Sequence, residues 1–162
     1  MRILAIDPGN IMSAFVVLET KTFGLEDFGL TENEKLVDLI LRGRFDTRHL
    51  IVERIKSYGM AMGDSLLDTC IWTGRFMQAY GAEDTTLVPR KTVVAHICKN
   101  ATARDKNVRQ ALIDFYPQTG GGKNPSIGTA KDPGPLYGVK KDVWAALAVG
   151  VWYVDTYPGF LA

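Results

Sequence analysis

Cysteine is scarce in this chain of 162 residues: Cys70 and Cys98 are the only two, and neither belongs to a Cys-x-x-Cys pair. That excludes a disulfide framework, and since His49 and His96 have no Cys or His partners at zinc spacing, neither is assigned a metal. No apolar run approaches the roughly 20 residues that cross a bilayer, and no charged-then-apolar leader is read at the start. Reduced thiols, no membrane partner and a cytoplasmic location are therefore expected. An excess of one charge is missing too. Lys+Arg 19 against Asp+Glu 18 gives a formal charge of +1, so a nucleic-acid surface would have to come from local clustering. Disorder would need fewer apolar residues than the 46% present, and one globular domain over residues 1–162 is expected.

What is there reads as strands first and helices later. Arg2 to Asp7 and Met12 to Leu18 are apolar runs separated by Pro8-Gly9-Asn10, which predicts a hairpin, and Thr22 to Leu30 predicts a weaker third strand. Thr31 and Glu34 have capping-box spacing ahead of Leu36, Val37, Leu39 and Ile40, a helix that Gly43 stops. Leu50 to Glu53 predicts a central strand. From Gly63 to Tyr80 the residues Leu67, Cys70, Ile71, Gly74, Met77 and Tyr80 recur at helical spacing, a stripe expected to face a sheet. Thr86 to Val88 is a fifth strand, Thr92 to Cys98 and Asn107 to Tyr116 are helices, and a strongly apolar helix spans Lys140 to Tyr157. Gln118 to Gly138, rich in Gly, Pro and Lys, is a loop long enough to imply a function or mobility. The expected fold class is α/β, a mixed five-stranded sheet flanked by helices.

Three acids stand where an apolar element meets its edge. Asp7 ends the first strand, Glu53 ends the central strand and Asp142 opens the final helix. Singly, each has an ordinary reading as a turn cap, a surface acid or a helix-dipole partner. Together they form a pattern that hard divalent cations use. Carboxylates converging from two strand ends and a helix start suit Mg²⁺ or Mn²⁺, and such ions activate water for phosphodiester hydrolysis.

The blocks Ile3-Leu4-Ala5-Ile6-Asp7-Pro8-Gly9, Ile51-Val52-Glu53, Val88-Pro89-Arg90-Lys91 through Asn107-Val108-Arg109-Gln110, and Asp142-Val143-Trp144-Ala145-Ala146-Leu147-Ala148 resemble, in order and spacing, the motifs of RuvC-like Holliday junction resolvases, in particular their divergent phage-encoded branch. The resemblance spans nearly the whole chain. It implies a ribonuclease H-like fold, a homodimer, and Mg²⁺-dependent nicking of branched DNA, with Mn²⁺ able to substitute, in the cytoplasm of a bacterial or phage-infected cell. By position it implies Asp7, Glu53 and Asp142 as catalytic metal ligands and Lys106 as a cation beside the scissile phosphate. Tyr58 falls close to the family's branch-point aromatic, at a different offset from the glutamate. One position departs: Ala145 stands where the family usually has a second helix aspartate. Asp132 could compensate, or three acids with water could suffice, and a three-acid site is the reading adopted.

Between Arg90 and Lys123 seven basic residues face two acids, a local charge of about +5. Arg90, Lys91, Arg104, Lys106 and Lys123 are expected to hold DNA phosphates, joined by Lys140 beside Asp142 and by Tyr58 as a stacking ring. Two rivals have other predictions. A branched-DNA-binding protein of the same fold that has lost catalysis, as Ala145 would permit, should bind without metal-dependent cleavage. A phosphotransferase of the actin and sugar-kinase type shares an Asp-x-Gly hairpin but needs two such domains, which this length does not supply.

Overall fold

The computed structural model describes residues 1–158; residues 159–162 of the single-domain reading lie outside the described residues. Its centre is a mixed sheet built from β1 (Arg2–Asp7), β2 (Met12–Glu19), β3 (Leu25–Glu32), β4 (Leu50–Arg54) and β5 (Thr85–Pro89), in the spatial order β3-β2-β1-β4-β5. The hairpin partners β1 and β2 are antiparallel, as are β2 and β3, while β4 runs parallel to β1 and β5 parallel to β4. The helices are α1 (Asn33–Leu41), α2 (Asp64–Tyr80), α3 (Arg90–Cys98), α4 (Asp105–Phe115) and α5 (Val143–Thr156).

Period-two alternation divides the strands between two cores. Ile3, Ala5, Val16, Ile51 and Val88 face one side with Val93, Val94, Val108, Leu112 and the apolar length of α5, whereas Leu4, Ile6, Val17, Leu50 and Val52 face the other with Leu36, Ile40 and Phe76. So α3, α4 and α5 cover one face, and α1 and α2 the other. Helix α5 lies close on β1 and β2, because Gly150 leaves only 3.3 Å between a would-be Cβ and that of Ala5. His96 and Asp155, 2.6 Å apart, tie α3 to the end of α5.

Several expectations need correction. The Thr31/Glu34 capping box does not form; β3 runs on to Glu32, and Glu34 instead makes a two-pronged ion pair with Arg75 at 2.9 and 3.0 Å. Most of the α2 stripe faces outward, though Tyr80 at its end packs against the core. Leu67, Cys70, Ile71 and Gly74 are exposed, and the inward face is Thr69, Thr73 and Phe76. Those threonines can be buried because their hydroxyls donate to carbonyls one turn back, Thr69 to Ser65 at 2.8 Å and Thr73 to Thr69 at 2.9 Å. Helix α5 begins at Val143 rather than Lys140, since Lys141 has a left-handed φ of 50°. Segment 118–138 is knit to itself by backbone hydrogen bonds such as Gly121 N to the Asp132 carbonyl (2.9 Å) and Gly134 N to the Ile127 carbonyl (3.0 Å).

Candidate active site

The β1–β4 register decides where the first two acids meet. Ile6 pairs with Val52, so Asp7 and Glu53 come next on adjacent parallel strands. Asp7 shares a strand face with Ala5, and Glu53 shares one with Ile51, so both lie on the α5 side. Asp142 is the N-cap of α5, without a side-chain cap bond. Glu53 is only 6% exposed.

The turn after Asp7 is fixed by residues with no obvious chemistry. Gly9 N donates to Ser13 Oγ (3.1 Å), Ser13 Oγ donates to Asn33 Oδ1 (2.6 Å), and Asn33 Nδ2 donates to the Gly9 carbonyl (2.9 Å). Ser13 and Asn33 are buried, and a Cβ on Gly9 would stand 2.2 Å from the Met12 carbonyl oxygen, so no other residue fits that turn unshifted. This polar knot aims the end of β1.

The acids at this sheet end are electrostatically coupled. Burial, reinforced by Glu53, raises the Asp7 carboxyl to about 8; Arg90 opposes the rise, and Asp142 and Asp105 add to it. Burial likewise raises Glu53, against the pull of Arg90. Burial thus favours a proton on Asp7, and a guanidinium sits on Glu53. Arg90 follows directly on β5, whose Pro89 pairs with Arg54 at this same sheet end. Its Nη1 donates to Glu53 Oε2 at 3.2 Å, and its Nη2 donates to Asp105 Oδ1. Burial works against the Arg90 charge, and Glu53 and Asp105 more than restore it.

Two sequence-based expectations change here. Arg90, read as a phosphate ligand, is engaged by acids. The additional acid that bears on Asp7 is Asp105, at the start of α4, and not Asp132, which packs in segment 118–138 against Gly121. Asp105 carried no signal in sequence, being flanked by Arg104 and Lys106 within the basic stretch. Among the described residues, no three His, Cys, Asp or Glu side chains stand in metal-holding arrangement. The donor set nevertheless fits a hard divalent cation: it is all carboxylate oxygen, it strains toward neutralisation, and a cationic group already sits on Glu53.

The other predicted residues fall into separate groups. Tyr58 stands 44% exposed on a left-handed backbone (φ 50°), with Lys91 Nζ 4.1 Å and Lys56 Nζ 5.2 Å from its ring centre. Lys106 and Arg104 line a shallow cleft with Cys98, Asn100, Thr102 and Asn107, Lys106 being one residue from Asp105. Lys140 lines a hollow with Lys141 against Phe28 to Leu30, and Lys123 is exposed on segment 118–138. His49 lies 2.8 Å from Thr86 Oγ1 and stacks on Tyr153.

A mixed sheet of order β3-β2-β1-β4-β5, with its acid-bearing face covered by the C-terminal helix, defines the ribonuclease H-like class of α/β fold. No protein-family model and no curated protein matches the chain in sequence. Solved structures do match in shape. Thermus thermophilus RuvC superposes with a TM-score of 0.69 at 14% identity, over 99% of this chain and 96% of that one. RuvC of the same organism in complex with Holliday junction substrate gives 0.72 at 15% identity, over 100% and 98%. The yeast mitochondrial Holliday junction resolvase gives 0.59 at 13% identity, over 99% and 82%. The chain shares the fold of RuvC.

Proposed function

We propose that this protein is a metal-dependent, structure-selective DNA endonuclease that nicks Holliday (four-way) or related branched junctions by phosphodiester hydrolysis. The observation that carries the proposal is the placement of Asp7 and Glu53 side by side at the ends of the two central parallel strands, on the face where Asp142 begins α5. The likeness in fold to RuvC bound to a Holliday junction supports the choice of substrate. Asp7, Glu53 and Asp142 would hold Mg²⁺, or Mn²⁺ in its place. When bound, such a cation supplies Lewis acidity and a water nucleophile at neutral pH.

The chain's own residues do the rest. The Ser13–Asn33 knot keeps Asp7 aimed, and the apolar packing of α5 on β1 keeps Asp142 over the strand ends. Lys106 supplies a positive group to the scissile phosphate from the first turn of α4. Tyr58, with Lys91 over one ring, offers a base-stacking surface with phosphate-binding charge attached, suited to an opened branch point rather than a closed duplex. Arg104, Lys123 and Lys140 extend the phosphate contacts along the arms.

Paired cuts call for paired sites, and the outward α2 stripe supports a symmetric homodimer. Ile71 is 61% exposed, the exposed Leu67 lies one turn before it, and Gly74 has open space where a side chain would be, so a second α2 can approach closely. The test is incubation of the purified protein with labelled four-way junction and linear duplex in Mg²⁺ or Mn²⁺. Nicking of the junction, lost in Asp7→Asn and Glu53→Gln, is expected; an intact junction under all conditions refutes the enzyme. Ala145 favours the second reading, a catalytically impaired branched-DNA-binding protein, which would bind junctions without metal-dependent nicking.

A further inference from the structure

We infer that Arg90 is an exchangeable resident cation: in the metal-free protein its guanidinium occupies the carboxylate cluster at Glu53, and a divalent ion enters by displacing it while Asp105 keeps it tethered. This rests on the metal-dependent reading above. Glu53 is buried at the end of a central strand beside Asp7, and a carboxylate so placed needs a partner whenever it is ionised. Arg90 Nη1, 3.2 Å from Glu53 Oε2, is that partner. A guanidinium cannot leave by losing its proton, so it cannot vacate the cluster except by moving.

The geometry allows the movement. Arg90 is the first residue of α3, immediately after Pro89, and its side chain is 40% exposed. Its two anchors differ. Glu53 is sunk in the sheet, whereas the Asp105 side chain is 88% exposed, at the solvent-facing start of α4. A divalent ion satisfies the buried acids with twice the charge of the guanidinium and repels it at short range, while the Asp105 contact on the open side can persist. The fork thus has an inner prong that a metal replaces and an outer prong that holds the arm nearby. The same arrangement explains how acids with no metal on them can stay packed at the sheet end.

The experiment is calorimetric titration of Mn²⁺ alone into the wild type, Arg90→Gln and Arg90→Lys at neutral pH and constant ionic strength, with metal-free melting curves alongside. Exchange predicts that Arg90→Gln binds Mn²⁺ about tenfold more tightly than the wild type, because the competitor is gone, and that it melts lower without metal. Arg90→Lys, which keeps the charge but cannot bridge both acids, should fall between, and it serves as the readout if Arg90→Gln does not fold. A Mn²⁺-soaked crystal should show the guanidinium away from Glu53 and still beside Asp105. Equal or weaker Mn²⁺ binding in both variants, with binding in the wild type, overturns the exchange and leaves the nuclease reading standing. Absence of Mn²⁺ binding in the wild type and the variants overturns both.

Discussion

Asp7 is the residue on which a pH experiment turns. In the unfolded chain its carboxyl has the ordinary value near 3.8, and in the native protein burial and Glu53 raise it to about 8. Between those values the native state keeps a proton that the unfolded chain has released, so raising the pH costs stability. The metal-free protein should lose about 1.4 kcal/mol per pH unit from this group as pH climbs through that window, and Asp7→Asn should flatten the slope in urea-unfolding curves taken from pH 5 to 8. The same substitution should lower junction nicking by at least about 10²-fold, the scale of losing one preorganised charged group. Tyr58 invites a different measurement: Tyr58→Ala should weaken four-way junction binding by about 1–3 kcal/mol in an electrophoretic or anisotropy titration while leaving duplex affinity nearly unchanged. At this scale the three acids were legible because each ends or begins an apolar run. The pairing of Arg90 with Glu53 and Asp105 was not legible, because charge along the chain does not reveal which opposite charges the fold will bring together. Ser13 and Asn33 were missed because a buried serine and asparagine look, in sequence, like any turn residues.

Elements follow the sequence where one face is apolar and the other wet, and depart from it where polar groups satisfy one another. The five strands lay close to their predicted ranges, since alternating or continuous apolar runs leave little choice of register. Most of the predicted α2 stripe faces outward, because the spacing of Leu67, Cys70 and Ile71 reports an apolar stripe without saying what covers it, while the Thr69 and Thr73 hydroxyls, satisfied within α2 itself, can face the core. Segment 118–138 is the loop that was expected, knit to itself by its backbone. Its glycines mark close backbone approach: a Cβ on Gly134 would meet the Pro125 carbonyl oxygen at 2.2 Å and that of Ser126 at 2.4 Å. Gly134→Ala should therefore destabilise the protein by roughly 1–3 kcal/mol in denaturant titration, through displaced backbone rather than lost contacts.

For the molecule as a whole, the exposed α2 stripe carries the assembly prediction. Ile71→Arg should shift sedimentation equilibrium from dimer to monomer and convert paired incisions into single nicks, with the metal-free far-UV spectrum unchanged because Ile71 contributes nothing to either core. Association with junction DNA should also fall steeply with added salt, since the basic stretch acts through phosphates. The acids of the proposed site stand on β1, the middle strand, and on β4 beside it, each with neighbours bonded on both sides. Backbone amides there open only when the entire sheet lets go, whereas α2 and the outer β3 can fray at lower cost. On heating, then, the proposed catalytic centre would be among the last parts to melt: the nicking proposed for it and the cooperative core should vanish at one temperature, and the proposed dimer should come apart before either.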